Sequence, residues 1–225
     1  MSDSVTISRE RSSGQTKPGE FVLPQWSLNA MRPIFGLIGR TFWHLKLRGV
    51  ENIPQEGGLI IASNHQSYLD PFAISVPIKR PVRFLAWNEA LKWPLVGKTL
   101  RALGAWPLQL QGSDPAAIRR SHQWLRDGGA LMIFPEGGRG LPDGSMTRFK
   151  SGAVRIALEA RVPILPVTIK GAHRVWPREK LFPGIGEIEV IYHPVFHPQL
   201  KPDEDAKACS RRESEQLAAI IASAL

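Results

Sequence analysis

The sequence predicts a single α/β domain in which helices flank a mostly parallel sheet, with an amphipathic helical segment at the N-terminal side. Two observations support this fold class. Beyond Leu47, short apolar runs alternate with helix-like stretches, as in chains that build parallel sheets from strand and helix units. The chain has 225 residues, 43% of them hydrophobic, which suits one domain with an adequate core and terminal extensions.

The elements follow in chain order from apolar periodicity and helix boundary signals. Residues 1–20 are rich in Ser, Lys, Arg and Gly and lack the hydrophobic core of a secretory signal, so we expect a disordered tail over residues 1–25. Helices are predicted from Ser113 to Arg126 and from Lys150 to Ala160. Residues 201–225 are expected to contain a C-terminal helix packed on the domain. Strands are predicted at residues 59–63, 82–86, 104–108, 130–134, 164–169 and 187–192, the last alternating as an edge strand would.

Residues 26–47 predict an amphipathic helix, which Pro33 could break. Arg32, Arg40 and His44 fall away from its apolar face. The segment has no run of about 18 apolar residues, so a transmembrane span is not expected. Two interpretations stay open: the helix lies in a bilayer interface, or it packs on the protein's own core. Both hold if one end packs on the core and the other end enters the bilayer interface. The apolar face carries Met31, Ile34, Phe35, Ile38, Phe42 and Leu45.

The charge balance favours an anionic partner. The formal net charge is +9, which attracts membrane lipids, nucleic acids and acidic proteins alike. The sequence lacks the basic and aromatic pattern of a nucleic-acid module, so we expect a membrane surface and no nucleic acid. Cys209 is the single cysteine, which excludes an intrachain disulfide. No H-E-x-x-H or paired-cysteine spacing occurs, so no metal site is expected.

The first candidate site, Asn-His-Gln-Ser-Tyr-Leu-Asp at residues 64–70, directly follows the apolar run at residues 59–63. His65 can take and release a proton near neutral pH, and Asp70 can fix its tautomer. In an extended chain the two would lie roughly 16 Å apart, at about 3.3 Å per residue, so they can meet only across a turn. The pair Asp70-Pro71 is typical of a helix start and predicts that turn. Alternatively, Asp70 only caps a helix and His65 is a polar loop residue.

A second polar cluster follows the apolar run at residues 130–134. In open α/β sheets, ligands bind beyond the carboxyl ends of the strands, so the two clusters are expected to converge on one crevice. Gly137 and Gly138 would let the backbone approach a ligand closely. Arg139 offers a planar fork of donors suited to a phosphate, and Glu136 is predicted to be either a ligand contact or the partner of that arginine.

Together and in this order, the two clusters resemble motif blocks of the glycerolipid acyltransferases, typified by 1-acylglycerol-3-phosphate acyltransferase. The family's first block is matched by residues 64–70, and its third, usually F-P-E-G-T-R-S, by residues 134–140. Residues 162–167, Val-Pro-Ile-Leu-Pro-Val, are similar to its fourth block. The resemblance covers residues 47–195.

The resemblance implies an enzyme that moves a fatty acyl group from an acyl thioester to the free hydroxyl of a lysophospholipid, in the first place 1-acylglycerol-3-phosphate, giving phosphatidic acid. Acyl-CoA or an acyl carrier protein would be the donor, and no permanently bound cofactor is expected. Residues 48–200 would form the acyltransferase domain of a peripheral protein at the cytoplasmic face of a membrane. His65 and Asp70 would be catalytic. The expected substrate contacts are Asn64, Glu136, Gly137, Gly138, Arg139 and Lys150.

The sequence departs from the family at its second block, where Leu110 stands in place of an arginine associated with the acceptor's phosphate. Either Arg139, Lys150 and Arg148 bind that phosphate here, or the acceptor is a different lysolipid or an amino-lipid. Gly138 and Gly140 also replace the usual Thr and Ser of the third block. Two other readings stay open: a metal-dependent hydrolase with His65, Asp70 and Glu136 as ligands, and a basic membrane-binding protein without catalysis.

Overall fold

One seven-stranded sheet forms the centre of the computed structural model, which describes residues 22–87, 90–92, 94–109 and 114–225. The sheet order is β1-β7-β6-β2-β5-β3-β4, and neighbouring strands are parallel except for β6 and β7, which are antiparallel. The predicted fold class is therefore confirmed. The strands are β1 (Lys46–Arg48), β2 (Leu59–Ser63), β3 (Val82–Trp87), β4 (Ala105–Leu108), β5 (Ala130–Ile133), β6 (Ile164–Lys170) and β7 (Glu189–Tyr192).

The helices begin close to where their boundary signals lie. Before α4, the side chain of Asp114 accepts a hydrogen bond from the Ala117 N–H at 3.0 Å, and Pro115 is the first helical residue. Helix α5 begins at Gly152 rather than at Lys150, because the Lys150 N–H donates to the carbonyl of Pro135 instead. The helices are α1 (Gln25–Trp43), α2 (Asp70–Ser75), α3 (Pro94–Ala102), α4 (Pro115–Arg126), α5 (Gly152–Ala160), α6 (Ala172–Val175) and α7 (Ala206–Ala222).

Alternate side chains of the central strands enter two apolar layers, one on each face of the sheet. Leu59 and Ile61 of β2 pack in the layer that contains α2, whereas Ile60 packs with α4, α5 and α7. All five residues of β2 are buried. A strand covered on both faces reads as a continuous apolar run, which explains why β2 and β5 were predictable from sequence.

The prediction that residues 187–192 form an edge strand is wrong. β7 spans Glu189–Tyr192 and lies between β6 and the short strand β1, which occupies the edge. The alternation of β7 has another cause: Glu189 pairs with Lys170 of β6 at 2.8 Å and with Arg48 of β1 at 2.6 Å. A charged residue therefore lies inside the sheet because both neighbouring strands supply a cation.

Helix α1 ends at Trp43, earlier than predicted, because residues 46–48 belong to β1. It continues through Pro33. One side packs on α2, where the rings of Phe35 and Phe72 have centroids 6.5 Å apart. Arg32 was expected on the polar side, but it points inward and donates from Nη1 to the carbonyl of Ser75 at 2.9 Å.

The opposite side of α1 presents large apolar side chains to solvent, and we call it the apolar face of α1. The same helix thus packs on the protein's own core with one side and exposes apolar side chains on the other. No helix in the described ranges is long and apolar enough to cross a bilayer. The apolar face of α1 consists of Trp26, Ile34, Leu37, Ile38 and Phe42.

Candidate active site

Three neighbouring parallel strands, β6, β2 and β5, end at the same edge of the sheet and carry the candidate residues. His65 follows β2, Glu136 follows β5, and His173 follows β6. After β2 the chain continues to β3, toward the β4 end of the sheet. After β5 it continues to β6, toward the β1 end, so the direction of the connections reverses between β2 and β5. Such a switch point opens a crevice between the loops.

The two predicted catalytic side chains meet across the expected turn. His65 Nδ1 lies 2.8 Å from Oδ2 of Asp70, the first residue of α2. The same oxygen accepts the backbone N–H groups of Gln66 at 2.5 Å and Ser67 at 2.8 Å. Because this oxygen acts as the acceptor, the imidazole proton is assigned to Nδ1, and Nε2 keeps its lone pair. Nε2 makes no hydrogen bond within the described part of the chain.

His65 is held from three further directions. Its ring stacks on Phe134 with centroids 4.1 Å apart, and its carbonyl accepts the N–H of Gly140 at 2.6 Å. Its own N–H donates to Glu136 Oε1 at 2.8 Å. The imidazole therefore has little freedom to leave Asp70.

Glu136 is not the ion-pair partner of Arg139, one of the two roles predicted for it. Besides the His65 N–H, its carboxylate accepts the N–H and the hydroxyl of Thr147, at 2.7 and 2.9 Å. Only 7% of the residue is exposed. Both carboxylate oxygens are thus engaged inside the protein, where Glu136 braces two loops, and its contact with a substrate stays a prediction.

Asn64 also makes its side-chain hydrogen bonds within the protein, and its contact with a substrate stays a prediction. Its side-chain N–H donates to the carbonyl of Ile169 at 2.9 Å, and its side-chain oxygen accepts the Ile169 N–H at 2.8 Å. With 1% of its surface exposed, the side chain joins the end of β2 to β6. The residue directly before His65 is therefore anchored to β6.

Arg139 lies over an aromatic ring at the mouth of the crevice. Its guanidinium carbon is 4.1 Å from the ring centroid of Tyr68, and Nη2 donates to the Tyr68 hydroxyl at 3.2 Å. Tyr68 in turn contacts Trp176 edge to face. Arg178 donates to the backbone carbonyls of Arg139 and Gly140, the latter at 2.6 Å. The loop thus presents Arg139 from a fixed position, and its Nη1 has no partner among the described residues.

The three glycines of the loop differ in the space around them. Gly137 has φ +74°, which favours glycine, and a Cβ there would lie 2.6 Å from Nζ of Lys150. Lys150 therefore crosses directly over the loop backbone. At Gly138 a Cβ would meet no described atom within 4 Å, whereas at Gly140 it would lie 2.7 Å from the carbonyl oxygen of Ser145.

Restoring the family's hydroxyl residues should therefore have opposite outcomes at two nearby positions. Gly140→Ser is expected to lower the free energy of unfolding by about 1 to 3 kcal/mol, because the backbone must move away from Ser145. Gly138→Thr, into open space, is expected to change it by about 0.5 kcal/mol or less. Urea unfolding of both variants measures this. Equal stabilities would show that the loop relaxes freely at Gly140.

Several residues of the crevice were not predicted as functional. Gln66 donates to the carbonyl of Gly144 at 2.8 Å and accepts from Nδ1 of His173 at 3.2 Å, so it ties the loop to α6. Burial lowers the pKa of His173, which opposes protonation of this linking imidazole. Tyr68 and Phe134 lie within the two motifs. Their position beside the polar residues could have marked them as site residues. Thr147 and Arg178 had no such signal.

The metal-dependent reading finds no support in the arrangement of the donors. His65 Nδ1 and Asp70 Oδ2 bond to each other, and Glu136 bonds to backbone and hydroxyl donors. In the ranges that the structure describes, no group of three or more His, Cys, Asp or Glu side chains could hold a metal ion.

Comparison with known proteins identifies similar chains. The model of the acyltransferase family matches residues 44–170. The chain is 28% identical over 162 residues to the chloroplast 1-acyl-sn-glycerol-3-phosphate acyltransferase of Arabidopsis thaliana, covering 69% of this chain and 44% of that protein. It is 31% identical over 159 residues to the 1-acyl-sn-glycerol-3-phosphate acyltransferase of Pseudomonas aeruginosa, covering 68% and 60%. The chain spans about half the length of the curated relatives it matches.

Among solved structures, the 1-acyl-sn-glycerophosphate acyltransferase PlsC of Thermotoga maritima superposes with a TM-score of 0.68 and 24% sequence identity. The match covers 88% of this chain and 80% of that one. The two chains therefore share a fold.

Proposed function

Because the chain belongs to the acyltransferase family, we propose that it transfers a fatty acyl group from an acyl thioester to the free hydroxyl of a lysophospholipid. The acceptor in this proposal is 1-acylglycerol-3-phosphate, because the names of both relatives include this lipid. The product is phosphatidic acid. The observation that carries the proposal is the contact of His65 with Asp70 at the crevice, with Nε2 left to accept a proton.

In this mechanism His65 acts as the general base and Asp70 orients it. Nε2 takes the proton of the acceptor hydroxyl while the oxygen attacks the thioester carbonyl. The Asp70 carboxylate stabilises the imidazolium that forms. When the tetrahedral intermediate collapses, the carbon–sulfur bond breaks, and the proton passes from Nε2 to the leaving thiolate. The ester bond replaces the thioester, and no covalent enzyme intermediate is formed.

The phosphate of the acceptor is proposed to bind at the loop after β5, on Arg139 and Lys150. Gly138 leaves the backbone exposed beside these cations, and Lys150 covers Gly137. The support is positional: Lys150 crosses Gly137, and Arg139 is fixed on Tyr68. Leu110, where the family has an arginine, lies outside the described residues.

Arg139→Ala is expected to raise the KM for lysophosphatidic acid roughly tenfold with little change in kcat, because a charge-assisted hydrogen bond is worth about 1.5 to 3 kcal/mol. Steady-state kinetics with varied acceptor measure the effect. Arg119→Ala, an exposed arginine on α4, is the control and should leave KM unchanged. An unchanged KM in the Arg139 variant would move phosphate binding elsewhere.

One experiment tests the proposed function as a whole. The purified protein is offered a panel of lysolipids and amino-lipids, lysophosphatidic acid among them, with acyl-CoA and acyl carrier protein as alternative donors. The products are identified by mass spectrometry, with His65→Ala as the blank. Formation of phosphatidic acid supports the proposal, acylation of another lipid alone reassigns the acceptor, and the absence of any product refutes the function.

The proposed location is peripheral, at the cytoplasmic face of a membrane. The apolar face of α1 supplies area for insertion in the bilayer interface, and the net charge of +9 favours the anionic cytoplasmic leaflet. A second exposed apolar group lies beside it, since the Gly186 N–H donates to the Phe42 carbonyl at 3.1 Å. That neighbouring group consists of Leu181, Phe182 and Ile185.

A further inference from the structure

A groove of about 550 Å³ runs along the flank of α1, outside the candidate active site. The helix contributes one stripe of residues, spaced three or four apart, and the segment after α2 forms the opposite wall. Leu37 belongs both to this stripe and to the apolar face of α1. The groove therefore opens beside the surface proposed to enter the membrane. Its lining residues are Asn29, Arg32, Pro33, Gly36, Leu37, Arg40, Val76, Pro77 and Lys79.

Three cations converge on the groove, and no acidic residue lines it among the residues described. Arg40 and Lys79 are exposed. In the part of the chain that the structure describes, none of Arg32, Arg40 and Lys79 forms an ion pair with a carboxylate. Three positive charges at one groove attract an anion.

Arg32 adds a more specific observation. Its Nη1 donates to Ser75, but its Nε is buried and has no partner among the described atoms. Burial lowers the pKa of this guanidinium, which shows that the charge is partly desolvated. A buried donor without an acceptor is costly, and Arg32 is one of the residues that line the groove.

We propose that this groove binds the phosphodiester head group of an anionic phospholipid in the membrane on which the protein sits. The proposal rests on the membrane association put forward above. Two guanidinium groups and an ammonium match a phosphate, while Leu37, Val76 and Pro77 offer contact to the glycerol and the first methylenes. The lipid bound here is a docking ligand and is distinct from the acceptor at His65.

The test compares two double variants that each remove two positive charges. Arg40→Ala/Lys79→Ala empties the groove of its exposed cations. Lys207→Ala/Arg211→Ala removes exposed cations from α7, on the opposite face of the sheet. Equilibrium binding is measured with vesicles of phosphatidylcholine alone and of phosphatidylcholine mixed with phosphatidylglycerol. Circular dichroism and urea unfolding verify that both variants fold.

The groove variant is expected to bind the anionic vesicles roughly 30-fold more weakly than the wild type, because each basic residue near such a surface contributes about 1 kcal/mol. The α7 variant should lose less than about threefold, and neither should change binding to phosphatidylcholine. Equal losses in the two variants would mean that diffuse charge binds the membrane and would overturn the proposal. Binding of soluble glycerol phosphate as tightly as the anionic vesicles would also overturn it, since the ligand would then be a free phosphate.

Failure of the head-group site and failure of the proposed function are separable. Turnover of the wild type is assayed in detergent micelles, which need no anionic bilayer. An active protein whose two double variants bind vesicles equally refutes only the groove. An inactive protein refutes the acyltransferase proposal whatever the vesicles show.

Discussion

His65→Ala is expected to lower turnover by about 100- to 10,000-fold, the usual contribution of a positioned general base. Nε2 of the imidazole makes no hydrogen bond within the described residues. Without the imidazole, the acceptor hydroxyl has no group to take its proton as it attacks the thioester. The fold should survive, because His65 contributes to the braces through its backbone N–H and carbonyl, which alanine retains. The initial rate with lysophosphatidic acid and acyl-CoA measures the effect.

The control for His65→Ala is His197→Ala, which removes an exposed imidazole remote in sequence from both motifs. This variant should keep wild-type turnover and the same thermal transition. Vesicle binding by the His65 variant should also be unchanged. Turnover within tenfold of the wild type would assign the base to another residue.

Asp70→Asn is expected to lower kcat roughly 100-fold, because the imidazolium formed in the reaction would lose a counter-charge that has no exposed surface. Oδ2 alone accepts the hydrogen bonds from His65, Gln66 and Ser67, so an asparagine oxygen placed there would keep them and the tautomer of His65. What it cannot supply is the negative charge that stabilises the imidazolium. The substitution therefore isolates the electrostatic part of the role of Asp70.

The same variant should be less stable by about 1 to 3 kcal/mol. Its new amide nitrogen would take the place of Oδ1, which is buried and has no hydrogen-bond partner among the described residues. Urea unfolding and kcat are measured on one preparation. Full turnover with normal stability would remove Asp70 from the mechanism.

The sheet was predictable where burial is uniform and was misread where charge interrupts it. β2 and β5 are covered on both faces, so their apolar runs identify them. β1 is three residues long and carries two cations, which leaves no such pattern. The partners that place Glu189 inside the sheet, Arg48 and Lys170, come from distant parts of the chain. Local sequence cannot show pairing of this kind.

In the candidate site, prediction succeeded for contacts within one turn and failed for contacts between strands. His65 and Asp70 are five residues apart, so motif spacing and helix-start chemistry were sufficient. Asn64 and Glu136 were identified as site residues, but their partners lie 105 and 71 positions away. Their hydrogen-bonding capacity proved to be used inside the protein. Only the folded chain shows which polar side chains remain available to a substrate.

The double hydrogen bond between Asn64 and Ile169 also has a consequence for folding. β2 pairs with β5 on one side and β6 on the other, and both partners are synthesised long after it. Closing such distant contacts is entropically slow. We therefore expect the end of β2 beside His65 to gain this anchor only when β6 docks. A nascent chain released before Ile169 is added should carry the whole first motif and still have no activity.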